Sequence, residues 1–200
     1  MIIEPMAPEP DDDALAERLL VLRAQLGSQD AYGGLFRRYD ARLLFYLRRL
    51  VGSRADAEDV RQEVWMTVVR KLATLEEPAA FRTWLYRIAR HRGISWLRKR
   101  RPEVSLDEAA PHDEPVVERE SDEEAGFGPE EAAAVRAALD TLPPGQREIL
   151  SLRFLGGLSY AEIAGVLDRP VGTVRARLHT AKAALRAALA NPARHAAARS

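Results

Sequence analysis

The sequence predicts an all-α protein made of two helical domains joined by a flexible acidic linker. Three observations carry that prediction. Apolar residues return every third or fourth position through residues 14–101 and 129–190, the period of amphipathic helices. Charge is laid out in blocks, net −4 over residues 1–29, +9 over 30–101, −11 over 102–131 and +6 over 132–200. Two basic modules therefore stand either side of an acidic tether, an arrangement suited to anionic partners. The last block ends in a short helix, a tight turn and a longer basic helix, the pattern of a helix-turn-helix.

Composition narrows the function classes. With 200 residues and 46% apolar content there is material for one or two cores, and the absence of cysteine excludes disulfides and thiolate metal sites. Residues 1–13 are acidic and proline-rich, without the basic start and apolar run of a secretory signal. No stretch has the length of a membrane span, so a cytoplasmic location is expected. The four histidines (His91, His112, His179, His195) are scattered. No nucleophile–base set, phosphate-cradling glycine loop or metal-spaced cluster stands out, so neither enzymatic activity, nor a metal, nor a cofactor is expected.

Taken in order, the first helix spans Asp11 to Leu26. Leu15, Leu19, Leu22 and Leu26 form its stripe, the acidic run sits at its positive end, and Gly27 ends it. A second helix, Gln29 to Val51, presents Leu35, Phe36, Tyr39, Leu43, Tyr46, Leu47 and Leu50 to the core. The third, from Ser53 or Asp56 to Leu72, buries Val60, Val64, Val68 and Leu72 and turns Asp59, Gln62, Glu63 and Arg70 outward. That polar cluster reads either as a solvated face or as a docking surface. The fourth helix, Ala79 to Arg101, has Phe81, Trp84, Leu85 and Ile88 on its apolar stripe. Arg82, Arg87, Arg90, Arg92, Arg98, Lys99, Arg100 and Arg101 load its other faces, interleaved with Tyr86, His91 and Trp96. Cations can follow a phosphate backbone while aromatic planes stack on unpaired bases, so single-stranded or melting DNA is the expected partner.

Pro102 stops this helix, and residues 102–128 have no sustained apolar period, as in an extended linker. A helix from Pro129 to Leu142 carries Val135, Ala138, Leu139 and Leu142. After Pro143-Pro144-Gly145 comes an apolar helix ending at Gly156-Gly157. Ser159-Tyr160-Ala161-Glu162 is a capping box that opens a helix from Tyr160 to Leu167. Asp168-Arg169-Pro170 makes the turn, and a last helix runs from Val171 to Ala190. Val174, Leu178, Ala181 and Leu185 face inward, whereas Ala176, His179, Thr180 and Ala183 face away. Arg175, Lys182 and Arg186 lie on one flank and Arg177 on the other. Small residues let such a helix sit deep in the major groove while its cations hold phosphates.

Four stretches in this order resemble a known family. Tyr32-Gly33-Gly34-Leu35-Phe36-Arg37-Arg38-Tyr39 is similar to the start of region 2 of sigma-70 family sigma factors. Ala57-Glu58-Asp59-Val60-Arg61-Gln62-Glu63-Val64-Trp65 is similar to that family's polymerase-docking helix. Phe81 to Arg90, running into Trp96 to Arg101, resembles the melting and −10-reading segment. Leu142-Pro143-Pro144 through Ser159-Tyr160-Ala161-Glu162 to Leu178 resembles region 4. The match is to the compact extracytoplasmic-function (ECF) type, which has regions 2 and 4 only.

The resemblance implies a subunit that binds core RNA polymerase, selects promoters and helps open the DNA. It implies region 2 over residues 14–101, an acidic linker over 102–128, region 4 over 129–190 and a tail over 191–200. Asp59, Gln62 and Glu63 become the docking face for the β′ clamp helices, with the β flap and an anti-sigma factor as further partners. Arg82, Trp84, Tyr86, Arg87, Arg90, His91, Trp96, Arg98, Lys99 and Arg100 become the −10 and melting contacts. Thr173, Arg175, Ala176, Arg177, His179, Thr180 and Lys182 become the −35 contacts. This chain has His91 where many relatives carry Asn, Ser95 where they carry Asp, and Thr180 where they often carry Arg. A polymerase-independent helix-turn-helix regulator would not need the 81–101 segment. A mimic that titrates an anti-sigma factor would not keep the DNA-binding cations.

Overall fold

The computed structural model describes residues 12–100 and 129–190. The expectations for residues 1–11, for Arg101 and the linker, and for the tail 191–200 lie outside the described residues. Within them the chain forms eight α-helices and no strand: α1 (Asp12–Gln25), α2 (Gln29–Val51), α3 (Arg54–Lys71), α4 (Phe81–Arg100), α5 (Pro129–Thr141), α6 (Pro144–Leu150), α7 (Tyr160–Leu167) and α8 (Val171–Ala190). The all-α class is as expected, and most boundaries fall where the sequence puts them.

Local chemistry accounts for the boundaries. Ser28 and Ser53 cap α2 and α3 through their side-chain oxygens, and Gly52 ends α2 in the left-handed region at φ 89°, which costs glycine little. Glu77 caps the 3₁₀ turn Pro78–Ala80 that leads into α4. The fourth helix therefore starts at Phe81 rather than Ala79. The apolar segment after α6 takes one turn of π-helix, Ser151–Leu155, closed by the Gly156 N–H donating to Ser151 O at 2.9 Å.

Helices α1–α4 pack into one unit and α5–α8 into a second, and one continuous apolar core runs through both. Its centre is formed by Leu35, Leu43, Tyr46, Leu47, Val60, Val64, Val68, Phe81, Leu85 and Tyr86, all fully buried. The α3 stripe of Val60, Val64, Val68 and Leu72 is as expected.

The α1 stripe is not. Leu15, Leu19, Leu22 and Leu26 are 45–88% exposed, and α1 turns Val21, Ala24 and Glu17 inward instead. The small side of the helix is the one that fits against α2, where a Cβ at Gly34 would stand 2.9 Å from Leu20 Cδ2. Glu17 is tolerated inside because it accepts from the Tyr39 hydroxyl and pairs with Arg38 at 3.3 Å. Phe36 also departs from the expected stripe: Leu35 takes the core position, and Phe36 lies outside at 41% exposure against the Trp65 ring, centroids 5.1 Å apart.

Candidate nucleic-acid interface

The second unit contains the expected helix-turn-helix. Ser159 accepts from the Glu162 N–H at 3.3 Å while Glu162 Oε2 accepts from the Ser159 N–H at 2.7 Å, closing the capping box at the start of α7. Asp168 ends α7 in the left-handed region, φ 54°, and its N–H donates to Ala164 O. Short Asp side chains visit that region more readily than most residues. The turn then feeds α8, which buries Val174, Leu178 and Ala181 and leaves Arg175, His179 and Thr180 exposed. Thr173, Ala176, Arg177 and Lys182 are half-buried. The Arg175 guanidinium lies 5.9 Å from the Tyr160 ring centroid, with Arg153 5.4 Å from the same ring. Such stacking holds a guanidinium without consuming its in-plane donors. Thr180 Oγ1 donates back to Ala176 O at 3.2 Å.

Helix α4 carries two cationic rows. Arg87, His91, Arg98, Lys99 and Arg100 are exposed. Arg82, Tyr86 and Arg90, four residues apart, share another face, and that face is turned toward the second unit. Arg82 Nε donates to Glu162 Oε1 at 2.8 Å and its Nη1 to Gly157 O at 3.1 Å. Arg90 Nε donates to Glu148 Oε1 at 3.0 Å, an oxygen that also accepts from the Tyr46 hydroxyl at 3.1 Å. Arg49 and Asp140 form a further ion pair between the units.

Tyr86 is fully buried, edge-on to Tyr46 with centroids 5.4 Å apart. In this arrangement it is a core side chain, not the stacking surface the sequence suggests. Burial pushes the Tyr86 and Tyr46 hydroxyls well up from the ordinary tyrosine range, with the Glu148 carboxylate adding to the shift at Tyr46. Burial works against the charge on Arg82, but Glu162, with Tyr39 and Glu17, overcomes it and raises the guanidinium above its usual range.

The far end of α4 belongs to a different surface. Trp96 is half-buried, with Arg100 5.4 Å from its ring centroid. Arg100 also grips both oxygens of Asp56 at 2.6 and 2.7 Å. Trp96 stands beside Asp59, Gln62 and Glu63 of α3, all three exposed as the sequence indicates. Glu63 pairs with Arg92 at 3.5 Å.

Next to this polar patch runs an open groove floored by Phe36, Trp65, Met66 and Val69. Met66 is 51% and Val69 58% exposed. Asp40 orients its wall, accepting from Trp65 Nε1 at 2.9 Å and Arg61 Nη1 at 2.6 Å. The apolar half of this surface was missed in the sequence. Its signal is present there: Met66 and Val69 are apolar residues off the α3 valine stripe. Glu148 and the outward reach of Glu162 had no comparable signal.

Comparison with known proteins agrees with this geometry. The family profile "Sigma-70 region 2" matches residues 35–103 and "Sigma-70, region 4" matches residues 132–185. The RNA polymerase sigma-H factor of Pseudomonas aeruginosa is 37% identical over 180 residues, covering 86% of this chain and 93% of that protein. The ECF RNA polymerase sigma-E factor of Escherichia coli is 35% identical over 187 residues, covering 86% and 94%. Among solved structures, CnrH in complex with the cytosolic domain of CnrY superposes with a TM-score of 0.63 at 28% identity, covering 87% of this chain and 97% of that one. The sigma factor RpoE in complex with the anti-sigma factor NepR from Bartonella quintana gives 0.58 at 25% identity, covering 90% and 98%. Two matched regions, and relatives aligned over nine-tenths of their length, thus accompany a cationic α4, an open groove on α3 and a capped helix-turn-helix, and the chain belongs to the sigma-70 family as a sigma factor of the ECF type.

Proposed function

We propose that this sigma factor docks on core RNA polymerase through α3, reads the −35 element with α8 and captures the unstacked −10 strand with α4. In this reading residues 14–101 serve as region 2 and residues 129–190 as region 4, with 102–128 tethering them. The observation that carries it is the juxtaposition on one unit of a docking groove and a cationic helix. Exposed Phe36, Met66 and Val69, bordered by Asp59, Gln62 and Glu63 and with Arg61 and Arg70 also lining the groove, form a partly apolar surface of mixed charge suited to an amphipathic helical partner. On α4, Trp84, Arg87, His91, Arg98 and Lys99 supply phosphate and base contacts, with Arg82, Tyr86 and Arg90 joining once the second unit moves away.

Holding flipped bases on these side chains lets polymerase-binding free energy contribute to strand opening. The chain makes no covalent bonds in this cycle, uses no cofactor, and works where polymerase works, in the cytoplasm. Among the described residues no helix is long and apolar enough to cross a membrane. An anti-sigma factor is a partner, in keeping with the Bartonella quintana sigma factor solved in such a complex. His91 and Thr180, both exposed, and half-buried Ser95 give this chain its own promoter preference. In vitro transcription with core polymerase and a genomic promoter library tests the whole: discrete starts should appear only when the protein is added. Folded protein that yields no start from any promoter would refute it.

A further inference from the structure

We propose that Tyr160, which lies outside the residues assigned to DNA above, is a positioning residue for promoter recognition. Its ring holds the Arg175 guanidinium in the pose that the −35 duplex meets, and Arg153 braces the ring. This rests on the −35 assignment of α8 and adds to it the side chain that sets one of its contacts in place.

Three segments converge on the ring. Tyr160 is the first residue of α7, directly after Ser159, so the capping box fixes its backbone. The ring is half-buried and packs against the apolar core. Arg153 comes from the π turn Ser151–Leu155. Its Nη1 donates to Leu158 O at 3.0 Å, and its guanidinium carbon lies 5.4 Å from the ring centroid. Arg175 comes from α8, next to buried Val174, and its guanidinium carbon lies 5.9 Å from the same centroid. The start of α7 and the recognition helix are thus joined through one aromatic ring, on the side of α8 that carries an exposed cation.

An exposed arginine samples many rotamers, and that freedom is lost when it binds. A ring face removes part of the loss in advance. It attracts the cation through its quadrupole and leaves the N–H groups to other acceptors. Among the described residues Arg175 forms no ion pair, so its fork is kept for a phosphate or a base edge. Arg82 and Arg90 of α4 are held the opposite way, through their donors, by Glu162 and Glu148. A cation–π contact at an exposed site is worth about two- to fivefold in an equilibrium constant.

Nuclear magnetic resonance of full-length protein labelled with nitrogen-15 arginine reads the contact directly. The Arg175 Nε–H proton, assigned by its absence in Arg175→Lys, should lie upfield of other exposed arginines through the ring current. It should return to their range in Tyr160→Leu and stay upfield in Tyr160→Phe. Holoenzyme assembled with core polymerase reads the consequence, on a promoter duplex taken from a start mapped with the genomic library. Tyr160→Leu should bind that duplex about three- to fivefold more weakly than wild type, and Tyr160→Phe within about twofold. In an Arg175→Ala background Tyr160→Leu should add no further loss. Successive fluorines on a phenylalanine at 160 weaken the negative ring face at nearly constant shape, so binding should fall stepwise while the thermal melt stays in place. An Arg175 resonance unmoved by Tyr160→Leu, in protein with wild-type circular dichroism, would overturn the contact. Equal losses from Tyr160→Leu with and without Arg175, or flat binding across the fluorine series, would overturn the positioning role. Tyr160→Phe as weak as Tyr160→Leu would overturn it as well, by moving the effect to the hydroxyl. Arg175→Ala that binds the promoter as wild type does, with the ring-current shift intact in the wild-type protein, would overturn the −35 assignment of Arg175 rather than the ring contact.

Discussion

Val68 and Val69 are adjacent, chemically identical and predicted to fail in opposite ways. Val68 is fully buried in the α3 stripe, whereas Val69 is 58% exposed on the floor of the groove. Truncating Val68 to Ala removes two methyl groups from a close-packed core and leaves a void, at a cost of about 2–3 kcal/mol. For a chain of this size that corresponds to a fall in Tm of roughly 5–10 °C by circular dichroism. Binding to core polymerase, measured well below the melt, should hold within about twofold. Val69→Ala should change stability by no more than about 0.5 kcal/mol. Val69→Asp should weaken polymerase binding roughly tenfold or more, because it places a charge on the apolar floor of the contact. Competition with labelled wild-type protein for core enzyme reads the binding. If Val69→Asp competes as well as wild type, the groove is not the docking surface. If it melts as early as Val68→Ala, the burial pattern of α3 is wrong.

The same contrast applies to α1: Val21→Ala should destabilise by about 2 kcal/mol and Leu22→Gln by less than about 0.5 kcal/mol, and thermal melts of the two variants rank the faces. Gly93 lies buried in α4 where an added Cβ would overlap Leu50, so Gly93→Ala should cost about 1–3 kcal/mol through overpacking despite a better helix propensity, read by denaturant unfolding. Burial raises Tyr39, as it does Tyr46 and Tyr86, with Glu17 adding to the shift at Tyr39. A folded pKa above the unfolded value means that this stability is complete below about pH 10 and is lost as pH rises beyond it. Absorbance at 295 nm from these three tyrosines should therefore appear only together with loss of helical circular dichroism; their titration in still-folded protein would refute the burial.

Much of the fold was legible because local signals and packing agree. Capping serines, Gly52 and the Ser159–Glu162 box place helix ends to within a residue or two. The valine repeat of α3 names its buried face unaided. Two errors share a cause. Leucine spacing on α1 and the aromatic at Phe36 report that a face is apolar, not that something covers it. Which face is covered was decided by Val21 and Ala24 entering the shared core with Leu20 close against Gly34 of α2, and by Glu17 finding Tyr39 and Arg38, both long-range facts. The site divided similarly. The exposure of Asp59, Gln62, Glu63, His179 and Thr180 follows from helical period alone. The fate of Arg82, Tyr86 and Arg90 depends on Glu148 and Glu162, 58 and 80 residues away in sequence, and no periodicity encodes a contact between separate helices.

Glu162 has two employments. One of its oxygens completes the start of α7 and the other takes Arg82. Glu148 has no role in capping a helix. Substitution at Glu162 therefore removes a cap of α7 together with the Arg82 pair, whereas substitution at Glu148 removes only the Arg90 and Tyr46 contacts. Position 162 is thus held by two requirements that a single substitution rarely meets together, whereas position 148 answers only to the contact between the units.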